Sequence, residues 1–118
     1  MVRDFFLRRS AGDELLAPAL LWAETTSSLR EGAFRGIITP AAAREALREV
    51  LAFPIRCVHF DGVYTRAIAI SERLGWAKAY DAIYLATAEY ERAELLTLDG
   101  GMRGAAERLG IRTSLISD

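Results

Sequence analysis

The chemistry open to this sequence is limited by what it lacks. It carries one cysteine, Cys57, and one histidine, His59. That excludes an intramolecular disulfide, a multi-cysteine metal site and the usual histidine-rich zinc sites. Catalysis would fall to carboxylates. Three occupy suggestive positions: Glu24 about one turn into a helical pattern that directly follows a strand, Asp81 at a helix start, and Asp99 at the end of an apolar strand. Strand C-terminal ends and the helix starts beside them form one rim of a parallel sheet, where ligands bind. Three acids from separate segments can therefore converge. Two like charges about 4 Å apart cost roughly 4 kcal/mol at an effective dielectric of 20, so such a cluster needs a proton, a cation or a hard metal. Mg²⁺ and Mn²⁺ prefer oxygen ligands and keep several waters. They lower the pKa of a bound water and stabilise a phosphoryl transition state. Thr97, two residues before Asp99, lies on the same side of its strand. Its hydroxyl either orients a water or carboxylate, or satisfies the strand's end.

Each residue also has a structural reading. Asp81 alone reads as a helix N-cap, and Asp99 before Gly100 and Gly101 as a turn residue. Glu24 is a solvated helix residue by default, but the apolar run Leu20 to Ala23 ahead of it suggests partial burial, and a buried acid needs a partner. Gly100, Gly101 and Gly104 do not form a phosphate loop, because no Lys-Ser/Thr pair follows. Cys57 and His59 alternate on an expected buried strand and read as packing residues. Tyr80, Tyr84 and Tyr90 could stack on bases, Tyr80 best of all because it adjoins Asp81, but a core or rim tyrosine is the default reading. Every basic side chain except Lys78 is arginine. Arg8, Arg9, Arg30, Arg35, Arg44 and Arg48 could touch phosphates, but each has an acid nearby in sequence, and a salt-bridged solvated face is the default.

The elements that must position these residues follow from composition and periodicity. The 118 residues are 52% apolar and 26% charged, a globular composition of one-domain size. Fifteen basic against sixteen acidic side chains leave a net charge of −1. No overall field draws the chain onto nucleic acid or an anionic membrane, so binding must rest on a local patch. The longest uncharged apolar run, Leu15 to Ala23, is roughly half of what a bilayer requires. Met1 to Ser10 holds an acid and three arginines and makes no signal peptide. A cytoplasmic protein is expected. Short apolar runs alternate with helical patterns, as in α/β proteins. The pattern predicts a helix end over Val2–Arg9, a turn at Ala11, Gly12 and Asp13, and a strand at Leu15–Ala17. A helix over Ala19–Glu31 should stop at Gly32, and a Thr39-capped helix should run from Pro40 to Phe53. Next come a strand at Ile55–Phe60, an Asp61-capped helix over Gly62–Leu74, and a helix from Asp81 to about Arg92. A strand at Leu95–Leu98, a helix over Met102–Leu109 and a last strand at Thr113–Ile116 complete the order.

The stretch Leu16-Ala17-Pro18-Ala19-Leu20-Leu21-Trp22-Ala23-Glu24, then Tyr80-Asp81-Ala82-Ile83-Tyr84-Leu85-Ala86, then Leu96-Thr97-Leu98-Asp99 resembles a PIN domain, and most of all the VapC toxins of bacterial toxin–antitoxin pairs. The similarity spans residues 2 to 116. It implies an α/β fold with a parallel sheet and flanking helices, and a ribonuclease that hydrolyses RNA with a metal-activated water. It implies a Mg²⁺ or Mn²⁺ site on Glu24, Asp81 and Asp99, with Thr97 at the accompanying hydroxyl position. It also implies inhibition by a cognate antitoxin peptide lying across the site, and a homodimer. The family opens with a strand ending in an aspartate. Too few residues precede Glu24 to supply it, and Asp4 and Asp13 are poor substitutes. The expectation is a single PIN-like domain over residues 1–118, N-terminally incomplete, with its first strand missing. A gap filled by a second copy, or a rearranged sheet, are the alternatives. The competing functional expectation is a catalytically inactive PIN-like binding or assembly module. A response-regulator-like acidic pocket fits poorly, because it would need paired early aspartates and a late lysine.

Overall fold

A computed structural model of the chain describes residues 5–9, 14–97 and 99–115, without the side chains of Phe5, Phe6, Arg9 and Leu115. The turn expected at Ala11, Gly12 and Asp13, and the acid Asp4, lie outside the described residues. The chain divides into two compact units, one containing residues 19–54 and the other residues 5–18 and 55–115.

The larger unit is built on a five-stranded mixed sheet. Its strands are β1 (Phe5–Arg9), β2 (Glu14–Pro18), β3 (Ile55–Val58), β4 (Glu94–Thr97) and β5 (Thr113–Leu115), in the order β3-β2-β1-β4-β5. β2 pairs with β3 and β4 with β5 in parallel, whereas β1 runs antiparallel to both of its neighbours. Strands β2 to β5 therefore all point one way, and their C-terminal ends share one edge. Helix α3 (Val63–Leu74) packs on α4 (Tyr80–Glu91), α4 lies against β2, β1 and β4, and α5 (Gly100–Arg108) lies against β4 and β5. Leu7, Leu16, Tyr84, Leu85, Leu95 and Ala106 are fully buried in this core.

Two expectations are corrected here. Residues 5–9 are a strand and not a helix end, and the sheet is mixed and not wholly parallel. The place between β2 and β4, which the sequence resemblance leaves vacant, is taken by β1. The reason is backbone accounting. Facing edges of β2 and β4 would each leave a row of buried N–H and C=O groups unpaired, at about 1–3 kcal/mol per group. The preceding segment satisfies both rows by pairing antiparallel to each, with Leu7 opposite Leu16 on one side and Leu95 on the other. A five-residue apolar and basic run is too short to separate a period of two from one of 3.6, so pairing decided it.

Charge reinforces the pairing. Arg8 lies opposite Glu94 in the register and its guanidinium donates to the Glu94 carboxylate. Burial pushes the Glu94 carboxyl up, but hydrogen bonds from Arg8 and Ser114 and the charges of Arg8 and Arg112 outweigh it and hold the group below its usual value of 4.5. Glu94 thus ties β1, β4 and β5 together at the edge opposite the strand C-terminal ends.

The smaller unit is a helical hairpin of α1 (Leu20–Phe34) and α2 (Pro40–Ala52), which pack on each other. The expected stop of α1 at Gly32 is corrected. Gly32 is buried inside the helix, which continues to Phe34. The left-handed residue is Gly36 at φ +75°. Its N–H donates to Ala33 O at 3.2 Å, and the Ile37 N–H donates to Gly32 O at 2.9 Å, the bond pair that ends a helix at a glycine. The Thr39 cap is as expected: its hydroxyl accepts from the Ala42 N–H at 3.0 Å, with Pro40 in the first turn. Asp61 does not cap α3, whose N-cap is Gly62 at φ +89°. Among the described residues, no helix is long and apolar enough to cross a membrane.

Two outcomes test this architecture. Leu7→Ala should destabilise the fold by about 2–5 kcal/mol in denaturant titration, as for other fully buried leucines; an exposed N-terminal tail would show almost no loss. Because the folded Glu94 carboxyl sits below its unfolded value, its contribution is complete above the unfolded value and is lost as pH falls through the folded one. Stability measured through the acid range should therefore fall less steeply below pH 4.5 in Glu94→Gln than in the wild type.

Candidate active-site edge

Asp99 reaches the strand C-terminal edge directly, because it follows the end of β4. Asp81 reaches it through α4. That helix feeds β4 through Arg92 and Ala93, and so enters β4 from the opposite edge. Its 12 residues at about 1.5 Å each outrun the four-residue strand beside it, at about 3.3 Å each. The first turn of α4 therefore stands at the edge where β4 ends. Asp81 lies in that first turn, half-buried, and is not the cap it resembles in sequence: the N-cap is Ala79.

Asp99 is the N-cap of α5. Its Oδ1 accepts from the Gly101 N–H at 2.8 Å and the Met102 N–H at 3.2 Å. The turn expected at Asp99-Gly100-Gly101 is thus the opening of a helix, with both glycines in its first turn. A carboxylate there satisfies orphan N–H groups and sits at the positive end of the helix dipole. One oxygen is committed to the cap, so outward chemistry falls to Oδ2 of this exposed residue. Thr97 is fully buried and its hydroxyl accepts from the Asp99 N–H at 2.8 Å. Of the readings open in sequence, the one in which the hydroxyl satisfies the strand's end is what the geometry contains. The bond fixes the backbone of Asp99, so Thr97 positions the acid.

Glu24 belongs to the helical hairpin. It is half-buried in the second turn of α1, as the apolar run ahead of it suggests. Beside it Thr25 is 1% exposed and its hydroxyl has no hydrogen-bond partner. An orphaned buried hydroxyl is a group that water or a ligand normally satisfies, and nothing in its sequence context singled it out.

Among the described residues, no three His, Cys, Asp or Glu side chains are gathered as a ready-made cage for a metal ion. The donor set itself, carboxylate oxygens without histidine or thiolate partners, suits a hard divalent cation. Mg²⁺ is typically held by one or two carboxylates, with waters and substrate phosphates completing its shell, and Asp81 and Asp99 on one edge meet that requirement in kind. Other candidates sort differently. Cys57 and His59 are exposed and are not packing residues, because β3 is an edge strand that ends at Val58. Tyr84 is buried in the core, and Tyr90 stacks on Phe60 with ring centroids 3.9 Å apart. Tyr80 is 57% exposed beside Asp81. Among the arginines, Arg8, Arg35 and Arg48 pair with Glu94, Glu31 and Glu45, while Arg30 lies over the Phe34 ring at 5.6 Å. Arg30 and Arg44 border an apolar groove of about 290 Å³ between α1 and α2.

The family model described as PIN domain matches residues 3–108. The chain belongs to the PIN domain family. PIN domains are generally nucleases acting on RNA or other nucleic acid, and they usually use divalent metals. No protein of curated function matches the chain.

The capping geometry separates structure from chemistry at Asp99. Asp99→Ala should cost about 1 kcal/mol of stability through the lost cap, whereas Asp99→Asn keeps an acceptor oxygen and should melt within a few tenths of a kcal/mol of wild type. Thermal unfolding of the two variants checks this, and equal losses would contradict the cap.

Proposed function

We propose that the chain is a Mg²⁺- or Mn²⁺-dependent endoribonuclease, the VapC-like toxin component of a toxin–antitoxin pair. The observation that carries this reading is the shared edge of Asp81 and Asp99, in a chain of the PIN family. Asp81 and Asp99 are residues that would hold the cation, and Glu24 is the third acid that the family resemblance assigns to it. A bound Mg²⁺ or Mn²⁺ would supply an activated water and neutralise charge on the scissile phosphodiester. Asp99 offers Oδ2 while its Oδ1 stays on α5. Thr97 keeps the Asp99 backbone in place from within the core. The exposed Tyr80 ring gives an RNA base a stacking surface next to Asp81. Strand β1 substitutes for the family's opening strand and, being antiparallel, turns its Arg9 end away from this edge.

The partner side of the proposal rests on the helical hairpin. Its α1–α2 groove is apolar with arginines at the border, and Phe34, Ile37, Leu51 and Phe53 are all more than half exposed. An antitoxin peptide and a second copy of the chain are the partners for such a surface, in the cytoplasm. The alternative, an inactive PIN-like binding module, draws its support from the structural duty of Asp99 as the cap of α5.

Incubation of single-stranded RNA with the protein and Mn²⁺ tests the proposal. Cleavage should require the metal and fall at least about 100-fold in Asp81→Asn and Glu24→Gln, as when charge stabilisation is removed from a transition state. Absence of cleavage together with a flat Mn²⁺ calorimetric titration would select the inactive module.

A further inference from the structure

Helix α5 opens Gly100-Gly101 and carries a third glycine at Gly104. Glycine is the least favourable ordinary residue in a helix, well behind alanine, so a nine-residue helix with three of them demands a reason at each site. At Gly104 none is found: an added Cβ would meet nothing within 4 Å. Gly101 differs. A Cβ there would come within 3.2 Å of Asp99 Oδ1, tighter than ordinary van der Waals contact. That oxygen can give way only by lengthening the bonds that hold it. It is held by the Gly101 and Met102 N–H groups at 2.8 and 3.2 Å, and the Asp99 backbone is held by Thr97 from the buried side. Nor does backbone conformation explain the glycine, because Gly101 is not among the residues at positive φ.

We propose that Gly101 is a positioning residue for the nuclease reaction: the missing Cβ is the space in which the Asp99 carboxylate lies flat against the first turn of α5, and this sets the direction of Oδ2. The inference rests on the reading of Asp99 as a cation ligand given under Proposed function. A methyl group at position 101 pushes Oδ1 aside by a few tenths of an ångström, rotating the carboxylate about its own Cβ. The helix itself gains from the alanine, so stability and function should part company.

Three variants of the full chain test it: Gly101→Ala, Gly104→Ala and Asp99→Asn. Gly104→Ala should raise the melting temperature by roughly 4 °C and leave RNA cleavage and Mn²⁺ binding unchanged. Gly101→Ala should melt no lower than wild type. Its calorimetric affinity for Mn²⁺ alone should fall roughly fivefold, and its RNA cleavage at subsaturating Mn²⁺ by a similar factor, the scale of loss from a sub-ångström misplacement. The amide proton resonance of Met102 should move upfield as its bond to the carboxylate lengthens. Wild-type Mn²⁺ affinity and a wild-type Met102 amide shift in Gly101→Ala, with Asp99→Asn inactive, would overturn the positioning role and leave the nuclease reading standing. A large fall in the melting temperature of Gly101→Ala would also overturn it, since the glycine would then serve the helix. If Asp99→Asn binds Mn²⁺ and cleaves RNA as the wild type does, the failure belongs to the assignment of Asp99 itself.

Discussion

Backbone hydrogen bonding at the centre of the sheet governs the rest of this structure. β2 and β4 point the same way but cannot be neighbours, because β1 lies between them and pairs with both. Removing β1 would strand two rows of buried polar groups, a cost on the scale of a domain's entire net stability. The antiparallel direction of β1 satisfies those groups as well as a parallel strand would. It also puts Arg8 opposite Glu94, so that the ion pair locks the register at the edge away from the candidate site. With the centre filled, the C-terminal ends of β2, β3, β4 and β5 are held along one edge, and that edge decides where the acids stand.

The acid at the end of β4 serves two ends at once. Asp99 caps α5 with one oxygen and presents the other outward, and the Thr97 hydroxyl fixes its backbone from within the core. The same helix start that makes Asp99 structurally necessary also makes it stereochemically stiff. On the proposed reading of Asp99 as a cation ligand, this stiffness would set the orientation of the carboxylate before the cation arrives. Asp81 has no such duty as N-cap, which falls to Ala79.

Legibility in the sequence followed the length of the pattern. The Thr39-Pro40 start of α2 carries a local signal strong enough to read alone, and the end of α3 at Leu74 falls where the sequence pattern puts it. The glycine at position 32 misled, since a buried glycine inside α1 and the true left-handed Gly36 look alike in sequence. Cys57 and His59 misled because alternation identifies a strand's two faces but not whether the strand is central or at an edge. Asp81 and Asp99 each read as a cap or turn residue; only Asp99 is one, because α5 begins immediately after it while α4 has its N-cap two residues ahead of Asp81, at Ala79.

The residue types alone pointed to carboxylates as the main candidates for chemistry, with a single thiol and a single imidazole in the chain, and the long local patterns placed the longer helices. Tertiary structure decided the rest. It made residues 5–9 a strand, because only neighbours on both sides could pay for its pairing. It gave the Thr97 hydroxyl to the Asp99 N–H, and it divided the Asp99 carboxylate between helix and solvent. Local sequence encodes propensity within a few residues, whereas these outcomes depend on which unsatisfied polar groups the folded chain brings within hydrogen-bonding reach.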